Sequence, residues 1–194
     1  MSLVTDEPLL LLWSRVQQKG SRENVAVNFW LHLYAKYVFA EKEWIIAVED
    51  APSELEPSKR GDLKVQYLGD AGFELLLHQE LKRREATKRD LEEVEHQAFS
   101  DCISYLAAHE EVSMAYAVTS FGTRARMWTC AREATYLEPL FGSEELAEPS
   151  QYIEAHSSEA TELRKGYDHM KRFSPVARRG IEPGERSPKS SRSK

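Results

Sequence analysis

Gly61-Asp62-Leu63-Lys64-Val65, followed after a short gap by Leu75-Leu76-Leu77-His78-Gln79-Glu80-Leu81-Lys82, decides how this chain is read. If both segments are strands, their side chains alternate between faces with period two. Leu63, Val65 and Tyr67 then point one way, and Asp62, Lys64 and Gln66 the other. In the second strand Phe73, Leu75, Leu77 and Leu81 make an apolar face, with His78, Glu80 and Lys82 opposite. An Asp on one strand beside a Glu and a Lys two residues apart on the next can hold a divalent cation and orient a water. That chemistry suits metal-assisted hydrolysis of a phosphodiester.

A helix competes for the second segment. Phe73, Leu76, Leu77 and Leu81 also fit a helical stripe, and Glu, Leu, Lys, Arg and Gln are good helix formers. One helix over 73–109 is the rival reading. The apolar stripe lapses between Leu81 and Leu91, and the Leu triplet follows the hairpin-like turn Gly69-Asp70-Ala71-Gly72. Both features tilt the reading toward a strand over 73–82.

Outward from this pair, residues 1–20 read as a lead-in with a helical turn around 9–16, closed by Gly20-Ser21 with Ser21 as an N-cap. Val27, Trp30, Leu31, Tyr34 and Val38 recur at helical spacing. They predict an amphipathic helix of about four turns. A strand is expected over 43–49, a Pro-broken loop over 51–60, and a strand over 62–68. A second strong helix covers 87–109, with Leu91, Val94, Ala98, Cys102, Tyr105 and Leu106 on its stripe. Strands at 114–118 and 124–128 flank Phe121-Gly122, and a helix is expected around 158–171. The fold class is α/β, with a mixed central sheet flanked by helices. The division is a lead-in over 1–20, one domain over 21–173 and a disordered basic tail over 174–194.

With 194 residues the chain supports one domain with a real core. The net charge of −6 gives no global attraction to nucleic acid, but the charge is uneven. Lys82, Arg83, Arg84, Lys88 and Arg89 cluster, and Lys59-Arg60 sits just before Asp62. Such a patch can face a phosphate backbone, although Glu85, Asp90, Glu92 and Glu93 also make 83–93 read as a solvated helix face. The two cysteines, Cys102 and Cys130, suit neither a disulfide framework nor a zinc site. The apolar run from Leu9 to Trp13 is too short to span a membrane. The chain reads as soluble and intracellular, cytoplasmic or nuclear, with no membrane partner.

The element order is helix, strand, Asp-bearing strand, strand ending in Glu-x-Lys, helix, strand. It resembles the PD-(D/E)XK nuclease superfamily, whose fold is restriction-endonuclease-like. Within it the chain looks most like a fungal branch. The supporting stretch is Met114-Ala-Tyr-Ala-Val-Thr-Ser-Phe-Gly-Thr-Arg-Ala-Arg-Met-Trp128, a Thr- and aromatic-rich strand, a Gly turn and an Arg-x-hydrophobic-Trp run. The likeness covers roughly residues 21–173, the span of the expected domain. It implies that Asp62 and Glu80 bind Mg2+ or Mn2+ and that Lys82 completes the catalytic motif. Gly61 stands where the family's name motif has Pro. The resemblance also implies that an acid on the first helix, best matched by Glu23, completes the site, and that Gln97 is the polar residue on the following helix.

Each residue has a plainer role beside this one. Asp62 after Gly61 suits turn chemistry, and Glu80 and Lys82 suit an exposed sheet face. Glu23 complements a helix N-terminus, Gln97 suits helix packing, and His78 suits a hydrogen-bonded histidine. Arg124 and Arg126 share a strand face and suit either a phosphate backbone or a rim salt bridge. Trp30, Trp44 and Trp128 read as core aromatics. The functional expectation is a metal-dependent nuclease acting on DNA or RNA. The alternative is a catalytically inactive nuclease-fold module that binds a partner or nucleic acid.

Overall fold

Ten residues from Phe73 to Lys82 run as one extended strand, so the rival helix over that segment is not formed. The computed structural model describes residues 1–48, 62–69 and 72–175. The loop 51–60 with Lys59 and Arg60, Gly61, the middle of the 69–72 turn and the tail from 176 onward lie outside the described residues. In chain order the elements are α1 (Glu7–Val16), α2 (Glu23–Leu33), a π-helical turn (Tyr34–Val38), β1 (Trp44–Val48), β2 (Leu63–Leu68) and β3 (Phe73–Lys82). Then come α3 (Lys88–Ala108), β4 (Met114–Phe121), β5 (Arg124–Ala131), β6 (Glu138–Pro139), β7 (Ile153–Glu154) and α4 (Ala160–Arg172).

The chain is an α/β protein whose described residues form a seven-stranded mixed sheet packed against four helices. The strand order is β1-β2-β3-β4-β5-β6, with β7 also on β5. All neighbours are antiparallel except β3 and β4, which run parallel because α3 carries the chain across between them. β3 is central and covered on both faces, hence its near-continuous apolar run. The β2–β3 register slips between Val65 and Gln66, whose partners are Leu77 and Leu75. Leu76 is therefore the extra residue of a bulge, and it joins the core instead of facing out.

Alternation sorts the core into two layers. Leu63, Val65, Tyr67, Leu77, Leu81, Tyr116, Val118 and Met127 face α1, α2 and α4. Ala115, Ala117, Trp128 and Cys130 face α3 through Ala98, Cys102 and Leu106. Each fully buried Leu or Phe contributes about 1.5–3 kcal/mol. Trp30 is fully buried and its Nε1 donates to the Gly122 carbonyl at 2.9 Å, tying α2 to the β4–β5 turn. Trp44 and Trp128 are buried as expected of core aromatics, and so are both cysteines.

Two local expectations change. The lead-in holds a three-turn helix whose Leu9 and Val16 enter the main core together with Leu3 and Val4. Its start is built by the Asp6 side chain, which accepts from Leu9 N at 3.0 Å, with Pro8 in the first turn. Ser21 is not the cap of α2: the helix begins at Glu23 with Arg22 in the cap position and no side-chain cap bond. Ser21 N instead donates to Gln18 O at 3.1 Å, which draws the serine into the preceding turn. By contrast α3 starts on a reciprocal box: Asp90 N donates to Thr87 Oγ1 at 3.2 Å and Thr87 N to Asp90 Oδ2 at 2.7 Å.

Gly122, in the β4–β5 turn, has no room for a side chain. Its φ is +57°, and a Cβ there would lie 2.9 Å from Arg84 Cβ and 3.0 Å from Arg84 Cα. Gly122→Ala is expected to destabilise the protein by about 1–3 kcal/mol. Urea denaturation checks this, and an unchanged midpoint contradicts the close approach.

Candidate active site

The β2–β3 register pairs Leu63 with Gln79, so one step further along sets Asp62 opposite Glu80. Residues paired across an antiparallel ladder point to the same face. Lys82 follows two residues on and shares it. On the other side of β3, Glu80 pairs with Thr119 and Lys82 with Phe121. The three expected residues thus meet at one end of the sheet, where β2 begins and β3 ends.

Helix α3 crosses this face and adds a polar stripe at four-residue intervals, Glu93, Gln97 and Asp101. Lys82 Nζ lies 3.1 Å from Glu93 Oε1, and Gln97 Nε2 donates to the same oxygen at 3.5 Å. Glu80 lies near enough to Asp62 and Asp101 for both carboxyls to raise its pKa. Gln97 therefore sits beside the site, touching it through Glu93. Asp101 and Glu93 are the residues the sequence reading left out. Their signal was present in the i±4 spacing from Gln97.

The electrostatics reflect acids crowded together. Burial, then the Asp62 and Asp101 carboxyls, push Glu80 up to about 10. Glu23, in the first turn of α2, is pushed up to about 7, mainly by burial. Lys82 pulls it back down and Asp62 raises it further, so Glu23 feels both neighbours across the site. A carboxyl whose folded pKa lies above its unfolded value gives stability that is complete below the unfolded pKa and fades as pH rises through the folded one. For Glu80 that window runs from the ordinary 4.5 to about 10, and for Glu23 from 4.5 to about 7. In EDTA, the melting temperature is expected to fall as pH rises from about 5 to about 9. Glu80→Gln, which mimics the protonated acid, should flatten that fall. An equally steep fall in the variant contradicts the assignment.

The remaining candidates separate. Arg126 is fully buried: its Nη1 lies 3.9 Å from Glu95 Oε1, it donates to Glu145 O at 2.7 Å and to Ser143 O, and it stacks on Trp128 at 4.1 Å. Arg124 is half exposed and pairs with Glu154 at 3.8 Å. His78 is buried on the site's face with its ring against Tyr105.

Among the described residues no group of three or more His, Cys, Asp and Glu side chains is arranged to hold a metal ion. The pair Asp62–Glu80 still has the donor chemistry of a magnesium site, because Mg2+ keeps several waters and needs only one or two carboxylates. A cation held there would offset the mutual repulsion of Glu80 with the Asp62 and Asp101 carboxyls. No described helix is long and apolar enough to cross a membrane. No match to this chain was found among family models, curated proteins or solved structures.

Proposed function

We propose that the protein is a metal-dependent nuclease of the PD-(D/E)XK type, hydrolysing phosphodiester bonds of nucleic acid at Asp62, Glu80 and Lys82. The observation that carries this reading is the register that sets Asp62 opposite Glu80, with Lys82 on the same face. The order α2, β1, β2, β3, α3, β4, with β3 and β4 parallel, supports a restriction-endonuclease-like core.

In this reading Asp62 and Glu80 would hold Mg2+ or Mn2+, with both carboxyls ionised. The ion, once bound, lowers the pKa of a water and offsets charge growing on the phosphoryl oxygens. Lys82 Nζ leaves Glu93 to hold the attacking water and to face the developing negative charge. Glu23, with a pKa near neutrality, accepts a proton at the rim of the site. Gln97 positions Glu93, and so sets how firmly Lys82 is held.

A second reading, an inactive module with the same fold, is favoured by one contact: the Lys82–Glu93 pair occupies the lysine at 3.1 Å. Incubating single- and double-stranded DNA and RNA with Mg2+ or Mn2+ separates the two. The nuclease reading expects cleavage that EDTA and Asp62→Ala both abolish. Intact substrates with either metal, from a folded protein, select the inactive module.

A further inference from the structure

A cleft of about 260 Å³ lies beside the candidate active site, lined by Gln17, Arg84, Glu85, Phe121, Thr123, Arg124 and Glu154. We propose that it binds the nucleotide adjacent to the scissile phosphate, with the phosphate between Arg84 and Arg124 and the base on Phe121, so that the substrate there is a single strand. This rests on the nuclease reading of Asp62, Glu80 and Lys82.

The sheet register supplies the geometry. Lys82 pairs with Phe121, and Phe121 with Arg124. These three side chains form one row on one face, across three adjacent strands. Two strand spacings separate the first from the last, roughly 10 Å. The backbone closes the same corner, since Gly122 N donates to Lys82 O at 3.0 Å. The absent side chain at Gly122 lets the Arg84 backbone approach, which holds that arginine at the rim. A strand leaving the catalytic end of β3 along this row therefore meets the Phe121 ring and then the Arg124 guanidinium, with Arg84 at the rim.

Two acids, Glu154 and Glu85, share the cleft with the arginines. Glu154 accepts from Trp13 Nε1 at 3.0 Å, Thr123 Oγ1 at 3.0 Å and His156 N at 3.2 Å, besides its pair with Arg124. Glu85 accepts weakly from Gly20 N at 3.4 Å. Arg84 has no ion-pair partner among the described residues. Tyr152 backs the Phe121 ring at 5.1 Å between centroids. A braced ring beside two cations is the combination that grips single-stranded nucleic acid, because every base has a π face but only an unpaired base exposes it.

The test is fluorescence anisotropy of a labelled short oligothymidylate with the full chain in EDTA, where hydrolysis plays no part. Arg84→Glu and Arg124→Gln should each weaken binding roughly tenfold and reduce the salt slope by about 0.7. Phe121→Leu should weaken binding without changing the slope. Lys165→Glu, on the exposed side of α4, should bind as wild type. No binding by wild type, equal loss in Lys165→Glu, unchanged binding in Arg84→Glu, or displacement by AMP at the same concentration as by oligothymidylate each overturns the proposal. Binding that behaves as expected in a protein that never cleaves rejects the catalytic reading alone.

Discussion

Replacing Glu95 with alanine is expected to cost about 3–5 kcal/mol of stability, the range for removing one partner of a buried ion pair. Glu95 is buried on α3 and accepts from Ala147 N at 2.7 Å and Tyr152 OH at 2.8 Å, with Arg126 at 3.9 Å. Its loss leaves a guanidinium enclosed by Trp128 and two carbonyl groups without its buried carboxylate partner. It also strips the Tyr152 hydroxyl of its acceptor, although Thr119 Oγ1 remains at 2.9 Å. Urea denaturation measures the effect. A loss below about 1 kcal/mol, the range of an exposed pair, contradicts the burial. Because Tyr152 also backs Phe121, the same variant should loosen the cleft beside the candidate site.

In the proposed nuclease, Lys82→Ala is expected to lower the single-turnover cleavage rate by about 10²–10³, the usual cost of removing one group that stabilises charge developing in the transition state. Metal affinity should stay the same or rise, because the variant removes a positive charge next to Asp62, Glu80 and Glu23. The split between rate and affinity is the diagnostic. An alanine variant that loses metal binding together with activity makes Lys82 a structural partner of Glu93.

The strands were readable because period-two alternation and a Gly turn bracket them. The helix alternative for 73–89 failed because β3 needs no helical stripe: both of its faces are buried, so leucines on either side are satisfied. The bulge at Leu76 was not readable, since an extra residue shows only when a partner strand is aligned. Strands β6 and β7, two residues each, are too short to carry any alternation. Helix α1 was under-read, although Asp6 and Pro8 mark its start, because the run from Leu9 to Leu12 has too little polar spacing to show a stripe.

The site divides the same way. That Asp62, Glu80 and Lys82 lie near one another was legible because spacing along two neighbouring strands maps directly onto space. Arg126 was not, since its partner Glu95 lies on a helix that crosses the sheet. Asp101 shares a helix face with Gln97 by its spacing, but only the docking of α3 shows that this face meets Glu80.

Calorimetric titration of Mn2+ into wild type, Asp62→Asn and Glu80→Gln tests the central claim, that Asp62 and Glu80 form one cation site. The account predicts binding by wild type with release of a proton at neutral pH, and none by either variant. Equal binding by all three proteins, or no binding by wild type, contradicts it.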